Sequence, residues 1–196
     1  MESLLPLALF AFVSSITPGP NNIMLTSSGI LFGFQRSIPH MLGITFGFGV
    51  LLALCAAGIG SLILAVPEIH LVLKAMGSAY LVYLAWQLRS MAFRQDEQSS
   101  AKPMSFLGAA LFQFANPKAW VMAVTGASAF LPLVQPVWLA ITLFCIVFCA
   151  INLPCVSLWA GTGAVLRRYL SDPRWQRLFC VVMVLLTLYS AAAIWL

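Results

Sequence analysis

The chain has 196 residues, of which 62% are hydrophobic and 8% are charged, and its mean hydropathy is +0.99. A soluble domain has about a quarter of its residues charged, so these values exclude a soluble fold. The formal net charge of +5 is scattered over short loops, and no segment is long enough to build the folded basic surface that nucleic acid requires. We therefore expect an integral membrane protein with no nucleic-acid partner.

Uncharged runs divide the chain into about six membrane-spanning helices of about 20 residues each. The predicted spans lie near residues 4–28, 41–66, 71–91, 106–131, 137–166 and 179–196. The predicted fold class is all-α integral membrane, with one transmembrane domain over residues 1–196. We expect the first span to be retained rather than cleaved as a signal peptide, because Glu2 stands where positive residues belong and no small-residue cleavage site follows.

Helix breakers at membrane depth interrupt two of these spans. The first span contains Thr-Pro-Gly-Pro-Asn-Asn at Thr17–Asn22, and the fourth contains Gln-Phe-Ala-Asn-Pro-Lys at Gln113–Lys118. Proline removes a backbone donor and clashes with the carbonyl four residues earlier, so each proline here should free one carbonyl. Unpaired backbone groups are costly in hydrocarbon, and such breaks persist only where protein or a wet cavity satisfies them.

The two breaks occupy matching positions in the two halves of the chain. Pro18 and Pro117 are 99 positions apart, about half the chain length. Each break falls in the first span of a three-helix half, and an odd number of spans per half makes the halves inverted repeats. Interrupted spans at corresponding positions of inverted repeats indicate the central site of a transporter. The alternative is that these prolines kink their helices for packing alone.

Lys118 is a charged residue deep in the fourth span. It lies about 18 Å from Phe106 along a helix that rises about 1.5 Å per residue, more than half way across a hydrocarbon core of about 30 Å. An ionisable residue at such depth indicates a functional site. We expect it to bind a substrate carboxylate or to titrate during transport, and the alternative is a structural contact with freed carbonyls.

The basic residues indicate the orientation of the chain. Eight of the ten fall on the face shared by the first, third and fifth loops, namely Arg36, Arg89, Arg94, Lys102, Arg167, Arg168, Arg174 and Arg177. Positive residues stay in the cytoplasm, so both termini should lie outside.

Weaker signals concern helix packing. Gly43 and Gly47 permit close helix approach, either across a homodimer interface or inside one chain. Asn152 and Pro154 are expected to interrupt the fifth span, and Gly161–Gly163 is expected to mark its cytoplasmic end. All cysteines fall in apolar spans with no His or carboxylate nearby, so we interpret them as packing residues rather than metal ligands.

The motifs resemble those of the LysE/RhtB family of bacterial amino-acid exporters, and the resemblance covers the whole chain. It is carried by Thr-Pro-Gly-Pro-Asn at Thr17–Asn21, by Gly-Ser-Ala-Tyr-Leu-Val-Tyr-Leu-Ala-Trp at Gly77–Trp86 and by Gln113–Lys118. The resemblance implies secondary-active efflux of amino acids across the bacterial inner membrane, driven by the proton gradient. Within the family, Tyr80–Trp86 and Leu111–Asn116 look most like the branch that exports cysteine and O-acetylserine.

The same resemblance implies a substrate site built from both breaks. Its residues are Thr17, Pro18, Gly19, Pro20 and Asn21 from the first, and Gln113, Asn116, Pro117 and Lys118 from the second. Backbone carbonyls would meet the substrate's ammonium group, and helix N-termini or Lys118 its carboxylate. We expect no catalytic residue, metal or cofactor, and as partners a small-molecule amino acid, the lipid bilayer and a second copy of the chain.

Two other classes of protein compete with a transporter. A membrane-embedded enzyme needs an acid, a base or a nucleophile–base pair, and the predicted spans contain neither His nor a carboxylate. A channel or a structural subunit is the remaining alternative. A channel favours a polar or charged ring along one helix face, and the spans show none.

Overall fold

The structure is a computed structural model, and it describes residues 4–58 and 102–169 together with isolated helical positions between residues 75 and 86 and between residues 174 and 192. The two main ranges contain α1 (Leu4–Ile16), α2 (Pro20–Phe32), a 3₁₀ turn (Gln35–Ser37), α3 (Ile38–Ala56), α4 (Phe106–Ala115), α5 (Pro117–Phe130) and α6 (Val137–Tyr169). The predicted helical fold class is confirmed for this part of the chain.

Length and composition identify two candidate membrane crossings among the described helices. Gln35–Ala56 and Val137–Arg167 are each long and apolar enough to span a bilayer. The pair α1 and α2 adds a third crossing if the two helices, bent by 55°, count as one broken span. The predicted spans at residues 71–91 and 179–196 fall largely outside the described residues, so the count of six stays a prediction.

Both predicted helix breaks are confirmed. α1 ends at Ile16 and α2 begins at Pro20, while α4 ends at Ala115 and α5 begins at Pro117. Each second helix thus starts with a proline, in the first turn, where a missing N–H costs no intrahelical hydrogen bond and the fixed φ suits the helix. The prolines therefore act as starts of new helices.

Each carbonyl freed by a proline is taken by another group of the protein. The hydrogen bonds run from Oγ1 of Thr17 to the carbonyl of Ser14 (3.0 Å), from Nε1 of Trp159 to that of Ile16 (3.2 Å), and from the amide of Asn116 to that of Gln113 (3.2 Å). These carbonyls are therefore satisfied within the protein, as the interior of a bilayer requires.

α6 is continuous where an interruption was predicted. It runs from Val137 to Tyr169 with Pro154 inside it, so the expected break at Asn152 and Pro154 is wrong. A single interior proline removes one backbone hydrogen bond, and here the packing of α6 against α1, α2 and α3 offsets that loss. The Asn152 amide bonds to other helices rather than competing for the backbone of its own.

The glycines near the end of α6 serve helix packing rather than termination. The predicted end at Gly161–Gly163 is wrong, because the helix continues to Tyr169. A Cβ on Gly163 would overlap the backbone of Thr26 in α2, and a Cβ on Gly29 of α2 would overlap the backbone of Ala160. The backbones of α2 and α6 therefore touch at this crossing, which only glycine permits.

α3 starts before its predicted position and packs closely on α4. The helix begins at Ile38 rather than near residue 41, and its predicted end near residue 66 lies outside the described residues. A Cβ on Gly43 would overlap the carbonyl of Phe106, and one on Gly47 would overlap Ala110. The glycine pair is used inside the chain, and this face of α3 is covered by α4.

The apolar core has two parts that flank the breaks. One contains Phe48 of α3, Ala119 of α5 and Phe148 of α6, and the other contains Leu25 of α2 and Val156 of α6. Burial of such side chains contributes about 1.5–3 kcal/mol each. The candidate site lies where the two parts meet.

Candidate functional site

Lys118 joins the two helix breaks. It lies in the first turn of α5, and its Nζ donates to the carbonyl of Thr17 at 2.7 Å, to Oγ1 of Thr17 at 3.0 Å and to the carbonyl of Pro18 at 3.3 Å. The side chain passes directly over Gly19, where a Cβ would lie 2.7 Å from Cδ of Lys118. Lys118 thus contacts the first break, as predicted. The carbonyls that it contacts, those of Thr17 and Pro18, are not the ones that the prolines free.

A second contact between the breaks is a pair of side-chain amides. Nδ2 of Asn21 donates to Oε1 of Gln113 at 2.8 Å, and Nε2 of Gln113 donates back to Oδ1 of Asn21 at 3.2 Å. Nε2 also donates to the carbonyl of Ala109 at 2.9 Å. Gln113 is completely buried, and burying an amide requires such partners. The amide pair therefore joins the two breaks through side chains alone.

The two helices that start at the breaks differ in their caps. The N-cap of α5 is Asn116, whose Oδ1 accepts a hydrogen bond from the Lys118 amide at 3.1 Å. The N-cap of α2 is Gly19, which has no side chain to cap the helix. A helix N-terminus carries partial positive charge and exposed N–H donors. The start of α2 therefore leaves donors available to an anion.

Asn22 supports the first break from inside. Its Nδ2 donates to the carbonyl of Ser15 at 2.9 Å and to that of Thr17 at 2.8 Å, and its side chain is buried. The Thr17 carbonyl therefore accepts from both Asn22 and Lys118. Sequence reasoning left Asn22 out of the site, although its place inside the Thr17–Asn22 motif was a usable signal.

A polar cavity lies beside the Lys118 contact. It measures about 20 Å³, roughly the space that one water molecule needs. Part of its wall is polar and contains the lysine, side-chain amides and hydroxyls, and the remainder is apolar. The lining residues are Ser14, Ser15, Gly19, Asn21, Asn22, Phe48, Asn116, Lys118, Ala119, Met122, Asn152 and Val156.

The structure brings together most of the predicted site. Gly19, Asn21, Asn116 and Lys118 line the cavity. Thr17, Pro18 and Gln113 contact those residues through hydrogen bonds, whereas Pro20 and Pro117 occupy the first helical positions of α2 and α5. The sequence missed the contributions of α1, α3 and α6, of which Asn152 had a signal as an amide inside an apolar span.

The chemistry of this cavity is that of one cation, several amides and two hydroxyls. Within residues 4–58 and 102–169 and the isolated described positions, no three His, Cys, Asp or Glu side chains are placed to hold a metal ion. Among the lining residues, Lys118 alone is ionisable. Such a set can bind a small zwitterion by charge and hydrogen bonds. The Ser14 hydroxyl bonds to the carbonyl of Phe10 and the Ser15 hydroxyl to Asn152, whereas Lys118 bonds to Thr17 and Pro18, so neither serine is paired with the lysine as a nucleophile with its base.

Comparisons with known proteins find similar sequences over most of the chain. The family model described as LysE type translocator matches residues 12–194. The cysteine/O-acetylserine efflux protein of Escherichia coli (strain K12) is 31% identical over 188 residues, covering 94% of this chain and 93% of the relative. The protein of the same name from Shigella flexneri is 32% identical over 197 residues, covering 96% and 98%.

No solved structure matches the chain. The family model covers most of the chain, the relatives are similar over nearly their whole length, and the described helices can cross a bilayer two or three times. The chain belongs to the LysE type translocator family, and it is a multi-pass membrane transport protein rather than an enzyme.

Proposed function

We propose that this protein exports amino acids from the cytoplasm by secondary-active, proton-driven antiport, and that its substrates are small neutral ones such as cysteine and O-acetylserine. Family membership and the names of the efflux relatives support this function. The observation that carries it is the position of Lys118, a cation held between two helix breaks at the edge of a polar cavity. The site therefore offers a positive group and backbone acceptors together.

An amino acid carries two charges that this site can match. Its carboxylate would be bound by Nζ of Lys118 and by the uncapped N-terminus of α2, which begins after Gly19. Its ammonium would be bound by the carbonyls of Thr17 and Pro18. Half-helix N-termini and exposed carbonyls at membrane depth bind substrates in this manner in other transporter folds.

One exchange of partners would serve both ends of the substrate. Before binding, Nζ of Lys118 occupies the acceptors of Thr17 and Pro18. When Nζ turns to the incoming carboxylate, it releases acceptors that the ammonium can use. Each charged group thus has a partner both before and after binding, so the exchange leaves no charge unpaired.

The size of the cavity favours a carrier over an open pore. A space of about 20 Å³ holds about one water molecule, whereas an amino acid is several times larger. Binding would therefore require the two breaks to separate, which is the motion expected of alternating access between two repeats. We propose that the repeats are inverted three-helix halves of a six-span fold, with both termini outside the bacterial inner membrane.

Proton coupling would act through Lys118 or through the substrate's own amine. Lys118 is the ionisable side chain of the cavity, and the predicted spans contain no carboxylate. In either case the amine would release a proton on the cytoplasmic side and gain one on the outside. Protons would thus move inward as amino acids move outward. The lipid bilayer and a second copy of the chain are further proposed partners.

Reconstituted vesicles test this function. Proteoliposomes are loaded with a mixture of the common amino acids and O-acetylserine and are placed in a more acidic buffer, so that the proton gradient points inward. The released compounds are identified by mass spectrometry. We expect saturable release of small neutral amino acids that stops when a protonophore collapses the gradient. Release that rises linearly with concentration would instead indicate a channel. Release no faster than from protein-free vesicles would refute amino-acid export.

A further inference from the structure

Asn152 brings a side chain of α6 into the cavity from a helix outside both breaks. Its Nδ2 donates to Oγ of Ser15 at 3.1 Å, and its Oδ1 accepts a longer bond from Oγ1 of Thr45 at 3.4 Å. Asn152 is 5% exposed and Ser15 is 4% exposed, and both line the cavity. An amide and a hydroxyl are therefore held at fixed positions on its wall.

This wall has hydrogen-bonding capacity that the described residues do not use. No described residue accepts the hydroxyl hydrogen of Ser15 or the second Nδ2 hydrogen of Asn152, and none donates to Oδ1 of Asn22. All three side chains are buried and line the cavity. Buried polar groups favour partners, so this wall favours an occupant that carries its own donor and acceptor.

The other polar lining residues belong to the breaks or bond to their own helix: Asn21, Asn116 and Lys118 lie at the breaks, and Oγ of Ser14 donates to the carbonyl of Phe10 at 2.6 Å. Phe48, Met122 and Val156 form apolar walls. Lys118 contacts Thr17 and Pro18 at the break itself, where the groups common to all amino acids would bind. The hydrogen-bonding wall formed by Ser15, Asn22 and Asn152 is therefore available to bind the side chain, which is the part that differs between amino acids.

We infer that Asn152, together with Ser15, determines specificity by hydrogen bonding to the side chain of the transported amino acid. The substrate class is then a small amino acid with a hydroxyl, thiol or ester group on its β-carbon. This inference rests on the proposed function and adds the residues that select the substrate. Asn152 is a specificity-determining residue here, while Lys118 and the break would bind every amino acid alike.

A competition experiment isolates this role. Vesicles containing the whole protein are loaded with equal amounts of serine, cysteine and 2-aminobutyrate, which replaces the hydroxyl or thiol by a methyl group at similar size. The measured quantity is the ratio of polar to apolar release, which does not depend on how much protein is folded. We expect the parent to favour the polar pair by about tenfold or more, because leaving site polar groups unpaired penalises the apolar analogue.

The variants decide the inference. Asn152→Ala and Ser15→Ala should each lower the ratio by about tenfold, the effect of one lost hydrogen bond. Ser157→Ala is the matched control, because the Ser157 hydroxyl of the same helix bonds to the carbonyl of Leu153 one turn back and should leave the ratio unchanged. An unchanged ratio in both variants, with active transport, would overturn the inference while the proposed function stands.

Two further outcomes separate the inference from the proposed function. If the parent releases no amino acid, the proposed function fails and this inference fails with it. If both variants are inactive in transport, binding is measured instead, as the rise in melting temperature that each amino acid gives to the purified protein. The rise with serine and cysteine is then compared with the rise with 2-aminobutyrate. A parent-like ratio in that measurement would again overturn the role of Asn152.

Discussion

Replacing Lys118 by methionine tests the proposed substrate site most directly. Methionine keeps an unbranched side chain of similar length over Gly19 but removes the three hydrogen bonds from Nζ to Thr17 and Pro18. The Thr17 carbonyl retains its 2.8 Å bond from Nδ2 of Asn22, so the substitution does not orphan that acceptor. We therefore expect folded protein in the membrane at close to the parental amount.

The expected loss of affinity follows from the lost ionic partner. A hydrogen bond to a charged group contributes about 1.5–3 kcal/mol, which corresponds to about 10- to 150-fold in the dissociation constant. The bonds that Nζ makes to the break before binding are recovered by the substrate's ammonium, so they do not offset this loss. Lys118→Arg should restore little, because the larger guanidinium meets the tight contact at Gly19.

The assay measures transport per folded molecule and substrate affinity separately. Folded protein is counted by size-exclusion chromatography in detergent, affinity is obtained by competition against labelled substrate, and flux is measured in proteoliposomes. Lys102→Met is the matched control, since Lys102 is exposed just before α4. Parental affinity and rate in folded Lys118→Met protein would refute a binding or coupling role and leave Lys118 as a structural contact.

Three further predictions concern the breaks, the helix crossing and the orientation. The double variant Pro18→Ala with Pro20→Ala should permit a straighter helix, insert into the membrane near normally and lose most transport. The control variant Pro39→Ala, at the start of α3, should transport normally. Parental export by the double variant would mean that the breaks only serve packing. Gly163→Ala should lose about 1–3 kcal/mol of stability by overlap with α2, measured as a lower melting temperature than that of Gly161→Ala, whose Cβ would lie 3.9 Å from the nearest Phe34 atom. A reporter fused to the C-terminus should behave as external, and cytoplasmic activity would contradict the predicted orientation.

Local chemistry made the helix breaks predictable. The Pro-Gly-Pro at Pro18–Pro20 and the Asn-Pro at Asn116–Pro117 exclude a continuous helix whatever surrounds them, since the missing donors and the fixed φ are properties of the residues themselves. Polar partners for Lys118 were equally predictable, because a charge at that depth needs them. The structure confirms the break positions and places Lys118 against the first break.

Tertiary packing decided the features that the sequence misplaced. Pro154 is as strong a local breaker as Pro117, yet α6 continues through it because neighbouring helices support it on several sides. The bond between Asn152 and Ser15 joins residues 137 positions apart, and no local pattern records such a pairing. The sequence suggested that Lys118 could contact carbonyls freed by proline, but it contacts those of Thr17 and Pro18 instead. The carbonyl that Pro20 frees, that of Ile16, accepts from Trp159 of the distant helix α6.

The crossings of glycine-bearing helices have a mechanical consequence. Where α2 meets α6, and where α3 meets α4, backbone touches backbone, and close-packed interfaces of this kind resist sliding. The contacts at the breaks are different, because Lys118 with Thr17 and Asn21 with Gln113 are joined through side-chain tips that can change partners by rotating a few bonds. We expect these helix pairs to move as stiff units that pivot about the contacts at the breaks. Among the described helices, the contacts that change most easily would then lie at the proposed substrate site.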